Sequence, residues 1–585
     1  MDAKRKMAPG MVYRGRVRKE ARVLGEMVSG ERLAPTRGLA PLVLLAAALG
    51  CAKILPPLTP PEAGGAPWRE MVSQHIVLRT DRDEADAREA LVDLEQTYVA
   101  LHDIGFPQLD VKGSRIVVIH FDRQRDFEKF EPANMAGIFH SRLPNDLHRE
   151  PTMVVWGKLD AGARVTLQHE LTHLFARASL GPMPVWFNEG LAQYYETLAV
   201  EDGFAYVGRP LLTKRAWASS NWKTMRQGAF MTVYVPIGYV PEVEKLTAMD
   251  PAAFYVWTDR GRQPLDDEIK HQTGNYVGAF GLAHLILQDP KYQPRFDKLM
   301  ELVGQSTPFA DAWGTAFQGV DAGGLETDYR QHLLNKFETM VLRTPYALPA
   351  VKADAERTMD PAEVHLLWAR LRPWHGADLP VAKADVDTAK EMSPASPEVL
   401  YVSAELHLAL GELDKAVAEM DAALTARPDD ERFLVAGLAV AQAAALNKDP
   451  SARVLTGKGK AMIDRLSKVA SSGDALDFLA RYHEAQGAHD DALAFAKRAV
   501  KSDATCVRCY ATLGEILFAR KDYAAALRAT DVALSLLPDG ARDEALEAQR
   551  RAQLEATKRA PPPQPAPPPD SPSPQAPSPA PAPTK

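Results

Sequence analysis

Two short stretches hold residue types that could do chemistry together. Gln168-His169-Glu170-Leu171-Thr172-His173-Leu174 carries two imidazoles with a carboxylate between them, and Pro184-Val185-Trp186-Phe187-Asn188-Glu189-Gly190-Leu191-Ala192 brings a second carboxylate soon after. On a helix, residues four apart share a face, so His169 and His173 can both reach one zinc ion at about 2.0–2.1 Å. Glu170 sits beside them, where a carboxylate can take a proton from a water that the metal has acidified. Two histidines need a third ligand, and Glu189 is the candidate. Three protein ligands with an open fourth position describe a catalytic zinc site rather than a structural one.

The elements that must position these groups are legible around them. With Leu167 as origin and about 100° per residue, Leu171 and Leu174 fall within roughly 40° of it, while His169 and His173 fall near 200–240°. One face is core and the other holds the metal pair. Thr166 and Ala176, not long charged residues, complete the second face, as the wall of a cleft requires. Pro184 suits the first turn of a second helix, and Trp186, Phe187 and Leu191 can anchor it against the first. A Gly181-Pro182 turn would fold that helix back and carry Glu189 beside the histidines.

His169-Glu170-Leu171-Thr172-His173 with Pro184-Val185-Trp186-Phe187-Asn188-Glu189-Gly190-Leu191-Ala192 resembles the gluzincin metallopeptidases, most closely the bacterial peptidase-MA-like families. The resemblance implies one Zn2+ per chain held by His169, His173 and Glu189, with Glu170 as catalytic base and proton shuttle. It covers roughly residues 70–345. The Gly-x-Met-Glu-Asn amine-recognition motif of the aminopeptidase branch is absent, so the resemblance implies an endopeptidase. Asn275-Tyr276-Val277-Gly278-Ala279-Phe280-Gly281-Leu282-Ala283-His284 resembles the tyrosine-containing helix of the same families, making Tyr276 a candidate oxyanion donor beside the metal. His284 and His140 are further candidates for the cleft, with packing or solvation as the alternative for each. Tyr194, Tyr195 and Glu196 read as residues that pack or orient ligands, and Gln193, one turn beyond Glu189, could support the ligand set.

Ahead of the metal helix the pattern alternates between strands and a helix. Ser73–Arg79, Arg115–Phe121 and Pro151–Trp156 are strand patterns, and apolar positions Leu91, Leu94, Tyr98 and Leu101 mark a helix over about 82–104. This order predicts the mixed sheet of an α+β zincin-like domain. The stretch 151–156 is assigned to the sheet edge that would pair with extended substrate backbone. After the metal helices the chain reads as mainly helical.

The N-terminus carries a different message. Residues 1–37 hold ten Lys/Arg against four Asp/Glu and lead into Gly38-Leu39-Ala40-Pro41-Leu42-Val43-Leu44-Leu45-Ala46-Ala47-Ala48-Leu49-Gly50-Cys51. The apolar run is too short to span a bilayer and has the length of a signal-peptide core. Ala48-Leu49-Gly50-Cys51 resembles a bacterial lipobox, which implies lipidation of Cys51 and removal of the residues before it, within a signal segment placed at 1–51. Ala52 after the cysteine points to the outer membrane, facing the periplasm. Residues 52–68, rich in Pro, Gly and Ala, read as a tether. A net charge of −7 gives no general affinity for nucleic acid or an anionic surface.

From about 362 a 34-residue period appears: Ala382, Ala389 and Pro394 recur as Ala416, Ala423 and Pro428, and Ala492 and Ala499 recur as Ala526 and Ala533. Gly411 and Gly487 occupy equivalent turns. Tyr510, Leu513, Gly514, Tyr523, Ala526, Ala533 and Pro538 resemble the tetratricopeptide consensus, and the resemblance spans 362–557 with about four recognisable units and a longer, degenerate one around 432–470. It implies an all-α solenoid whose concave surface binds a protein or peptide partner. A spacer or dimer contact is the alternative. Three cysteines exclude a disulfide scaffold. Cys506 and Cys509 are a local disulfide in an oxidising compartment, and a metal or redox pair in a reducing one. The tail, 558–585, holds 13 prolines from residue 560 onward and can form no core.

Together these readings describe a membrane-anchored zinc endopeptidase domain (69–345) acting on envelope or secreted proteins, followed by repeats that recruit substrate or partner. The rival reading is a non-catalytic tetratricopeptide scaffold lipoprotein. The motif is also compatible with hydrolysis of a non-peptide amide such as a cell-wall cross-link.

Overall fold

The computed structural model describes residues 58–559 apart from 108, 110–114, 132–136, 141–150, 160, 181–182, 209–213, 218–222, 228–229, 256–265, 305–306, 308, 336–340, 504–505 and 538–542. The signal-like stretch with Cys51, the Gly181-Pro182 turn, Pro538 and the proline-rich tail lie outside these residues. Among the described residues no helix is long and apolar enough to cross a membrane.

Period-2 apolar runs build a six-stranded mixed sheet. In chain order its first strands are β1 (Arg69–Val72), β2 (Ile76–Thr80), β3 (Ile116–Phe121), β4 (Gly137–His140) and β5 (Thr152–Trp156), and the strand Ala355–Thr358 joins them from far along the chain. The spatial order is Ala355–Thr358, β1, β2, β3, β5, β4. β1 and β2 form an antiparallel hairpin; β2–β3 and β3–β5 are parallel, the helix α1 (Glu84–Gly105) makes the crossover from β2 to β3, and a one-turn helix α2 (Gln124–Phe127) follows β3. All six residues of β3 are buried, because helices cover both sheet faces.

The two faces are covered by different parts of the chain. Ile116, Val118, Met153 and Val155 meet Leu91, Leu94 and Leu101 of α1 and Leu171 and Phe175 of the helix α3 (Ala161–Leu180), which carries His169 and His173. Val117, Ile119, Phe121 and Val154, on the opposite face, pack with Trp68 and with Val364, Leu367, Trp368 and Leu371 of the helix Pro361–Leu371. That helix starts at a complete capping box between Asp360 and Glu363.

Three expectations need correction. The strand at 151–156 is not the edge: β5 lies between β3 and β4, and its nearly continuous burial is that of an interior strand. The edge is β4, antiparallel to β5, where a Cβ at Gly137 would fall 2.7 Å from the Val155 side chain. The tether does not reach 68: Trp68 is buried, Leu58 packs beside it, and the Glu62 carboxylate meets His365 Nε2 at 3.0 Å. The α/β region does not close at 345, since Ala355–Thr358 completes the sheet against β1. After Tyr195 the chain is mainly helical, as expected, but short strands come first. Strands Ala199–Glu201 and Phe204–Val207 form a hairpin around Asp202 (φ 52°) and Gly203 (φ 77°), the positive dihedrals that an Asp-Gly turn supplies.

The C-terminal region fulfils its expectation as an all-α solenoid of the tetratricopeptide type. Antiparallel hairpins run 361–371/379–392, 397–410/413–426, 473–485/489–502 and 507–519/523–535, closed by Glu544–Arg559. The degenerate unit is a long helix, Glu431–Leu446, answered by Ala452–Thr456 and Gly459–Val469. The repeated alanines 382, 389, 416, 423, 492, 499, 526 and 533 are all fully buried, and their small side chains let paired helices approach. Cys506 and Cys509 are joined in a disulfide at the start of the last hairpin, and both are buried.

Candidate metal centre

The helix that follows, α4 (Val185–Tyr195), is apolar almost throughout, yet it buries Asn188, Glu189 and Gln193. It packs closely on the helix Asp266–Gln288: a Cβ at Gly190 would fall 2.6 Å from the Ala279 carbonyl oxygen and 2.8 Å from the Ala283 side chain. Trp186 and Phe187 anchor it against Trp313 and Phe309, at centroid distances of 5.3 and 4.8 Å. This fixes the rotation of α4 and presents Glu189 to α3.

His169, His173 and Glu189 come together, with one ligand atom from each lying within 4.8 Å of the others. His169 Nε2 lies 3.5 Å from Glu189 Oε2, and His173 Nε2 lies 3.6 Å from Glu189 Oε1. The other imidazole nitrogens are already engaged. His169 Nδ1–H donates to Glu196 Oε2 at 2.5 Å, and His173 Nδ1–H donates to Asn188 Oδ1 at 3.1 Å. These bonds turn both Nε2 atoms inward, the arrangement that prepares histidine for a metal once Nε2 gives up any proton it holds. Glu189 is only 4% exposed, and its Oε2 is buried without a hydrogen-bond partner among the described residues. A buried carboxylate oxygen whose nearest polar neighbour is an imidazole nitrogen 3.5 Å away is costly unless a cation draws the two together. The N,N,O donor set and this orphaned oxygen both fit zinc.

The electrostatics follow the geometry. Burial works against ionisation of Glu189, but the His173 and His169 imidazoles and the Tyr255 phenol outweigh it and hold the carboxyl at about 2. Burial alone would lower His169, yet the Glu189 and Glu196 carboxylates raise it to about 10. Burial dominates at His173 and brings it down to about 4. Burial also raises Glu170, with neighbouring Glu189 adding to the shift against the His169 charge, as suits a group that must accept and then return a proton.

The remaining candidates separate. Glu196 orients His169, as its place after α4 suggested. Gln193 donates to the Tyr276 carbonyl at 2.9 Å and so fastens α4 to its neighbour. Tyr194 bonds Gln288, and Tyr195 packs on Phe106. Tyr276 lines an open cavity of about 430 Å3 with His169, Thr166 and Glu196, its ring against Phe254. His284 is buried away from the ligand set, between His332 and the Gly208 carbonyl at 2.9 Å each. His140 closes strand β4. A further phenol at the site is Tyr255, whose hydroxyl donates to Glu189 Oε1 at 2.6 Å. It comes from 66 residues beyond Glu189, and no local motif announces it.

No protein-family model and no curated protein matches the sequence. Solved structures resemble the chain at low identity. A thermophilic tetratricopeptide protein of Thermus thermophilus is 16% identical over 33% of this chain and 99% of its own, with a TM-score of 0.27. YrrB, described as a tetratricopeptide protein with an unusual peptide-binding site, is 16% identical over 34% of this chain and 91% of its own, with a TM-score of 0.23. A tetratricopeptide protein of Parabacteroides merdae is 14% identical over 45% of this chain and 98% of its own, with a TM-score of 0.22. At such scores the repeat assignment rests on the hairpins and their 34-residue period.

Proposed function

We propose that the chain is a zinc-dependent endopeptidase of the gluzincin type, carried with its repeats on a lipid anchor at Cys51 in a bacterial envelope. The observation that carries the proposal is the orphaned Glu189 Oε2 beside two inward-facing imidazoles. His169, His173 and Glu189 would hold the ion, and zinc, when bound, supplies Lewis acidity toward water and a peptide carbonyl. Glu170 takes the proton from water and returns it to the leaving amine. Tyr255 is bonded to the Glu189 carboxylate and Tyr276 lines the cavity beside His169; either phenol could donate to a developing oxyanion. Glu196 and Asn188 keep the imidazoles aimed. The solenoid offers a surface for protein partners.

The test is zinc by elemental analysis together with casein cleavage, on the chain and its Glu170→Gln variant. Zinc near one per chain in both, with cleavage about 10²–10⁴-fold lower in the variant, is the expected result. A chain that purifies without zinc, or whose cleavage ignores the substitution, overturns the proposal and leaves the scaffold reading. Conversion of Cys51 to Ser should release the chain from the detergent phase if the anchor is real.

A further inference from the structure

The two imidazoles do not decide which oxygen of Glu189 would face a metal. His169 Nε2 stands 3.5 Å from Oε2 and His173 Nε2 stands 3.6 Å from Oε1, so each oxygen has an imidazole nitrogen at a similar distance. The difference comes from elsewhere in the chain. The Tyr255 hydroxyl donates to Oε1 at 2.6 Å, while Oε2 is buried without a hydrogen-bond partner among the described residues. Tyr255 is itself held in place. It follows the one-turn helix Pro251–Phe254, and buried Asn275 fastens the end of that turn: its Nδ2 donates to the Phe254 carbonyl at 2.9 Å and to the Ala253 carbonyl at 3.4 Å. The fully buried Phe254 ring lies edge-on to Tyr255 and Tyr276, at centroid distances of 5.2 and 5.3 Å.

We propose that Tyr255 is a positioning residue that restricts Glu189 to one oxygen, Oε2, toward the metal and so keeps a coordination position open for water. This rests on His169, His173 and Glu189 holding zinc, and not on which bond the site hydrolyses. A carboxylate can give a cation one oxygen or two. Two would add a fourth protein donor and fill the position that a catalytic site leaves to water. At 2.6 Å the phenol bond has the length of a charge-assisted O–H···O⁻ contact, the strong kind. It draws on the charge of Oε1 and keeps that oxygen turned toward the phenol, so Oε2 is the one left to offer. Partners of this kind are what orient a ligating carboxylate.

The probe is cobalt(II) in place of zinc, which absorbs visible light strongly when four-coordinate and weakly when five-coordinate. It is read on the full chain, stripped of metal and reloaded. The unaltered chain should give the strong, four-coordinate spectrum. Tyr255→Phe keeps the ring and removes only the hydroxyl, and its molar absorption should fall about twofold or more, toward the five-coordinate value. Asn275→Ala keeps the phenol but loosens its seat and should fall between the two. A hydroxyl that merely braced the site would change metal affinity, by about 10–100-fold, and leave the spectrum as it was. A five-coordinate spectrum in the unaltered chain, or unaltered intensity in Tyr255→Phe, would overturn the proposal, and the first of these needs no variant to fold. Failure of the unaltered chain to take up one cobalt ion would instead overturn the metal site itself, and this inference with it.

Discussion

The two faces of the sheet are covered by helices of opposite character. α1 and α3 lie on one face, and with α4 beyond them they bring buried polar groups into that layer: the Glu95 carboxylate under His75, His120 in β3, and the Asn188-Glu189 pair of α4. The other face is closed almost wholly by apolar side chains of the helix that also begins the solenoid. Polar burial is costly unless each group is met by a partner or an ion, so the first face carries a cost that only chemistry or a satisfied network explains. The second face carries less: His365 is buried there but met by the Glu62 and Asp385 carboxylates, and the remaining contact is largely apolar and serves attachment. Position in the sequence hides this, because the attaching helix lies beyond the region that the metal motif marks out.

The largest expected effect tests that attachment. A chain ended at residue 345 keeps every metal residue but loses the strand Ala355–Thr358 and the helix Pro361–Leu371. Trp68, Val117, Ile119, Phe121 and Val154 would then face water, and at about 1.5–3 kcal/mol for each large apolar side chain the loss is on the order of 10 kcal/mol. That equals the whole stability of an ordinary domain. The truncated chain should be insoluble or lack a cooperative thermal transition, whereas one ended at residue 392 should melt cooperatively. A cooperative melt of the 345 chain would show that the two faces are not mutually dependent.

Single substitutions separate the faces more finely. Trp368→Ala should cost about 3–5 kcal/mol in urea unfolding with zinc content unchanged, because it cuts the attaching face alone. Gly190→Ala should cost about 1–3 kcal/mol by overpacking α4 against Ala279 and should also lower zinc occupancy, since it displaces Glu189. If the two variants lose zinc equally, the faces are coupled through the sheet.

His120 supplies the pH test of the polar face. Burial lowers its imidazole to about 4 despite the hydrogen bond at 2.6 Å to the Gly157 carbonyl, and its Nδ1 has no partner among the described residues. The unfolded chain binds a proton there below about 6.5 while the folded chain does not until about 4. Stability from this group is therefore complete above 6.5 and is lost as the pH falls toward 4, by about 3 kcal/mol at most. Urea midpoints taken between pH 7 and 4 should fall less steeply for His120→Leu than for the unaltered chain.

What the sequence made legible was what is encoded locally. The His169–His173 spacing, the apolar face of α3, the proline opening of α4 and the 34-residue period each depend on neighbours within a few turns. Glu196 could be read as an orienting group because it follows α4 directly. Tyr255, the interior position of β5 in the sheet and the Glu62–His365 contact depend on residues brought together from far along the chain, 66 positions apart for Tyr255 and Glu189 and 303 for Glu62 and His365, which no periodicity reports. The Asp202-Gly203 turn is a different omission, since its dipeptide is a strong hairpin signal that the neighbouring helical pattern obscured.

The smallest effect lies in the solenoid, where nothing but backbone geometry is at stake. Gly411 ends the helix Pro397–Leu410 with φ 76°, and its amide donates to the Leu408 carbonyl at 3.1 Å. No heavy atom lies within 4 Å of a Cβ built there, so substitution meets only the left-handed backbone. Gly411→Ala should therefore cost about 1–2 kcal/mol, the strain of placing an L side chain in that region. Gly411→Asn should cost less, because asparagine tolerates the conformation. The variant should leave zinc content and casein cleavage untouched, so a fall in either would mean that the repeats reach the metal helices through the shared sheet.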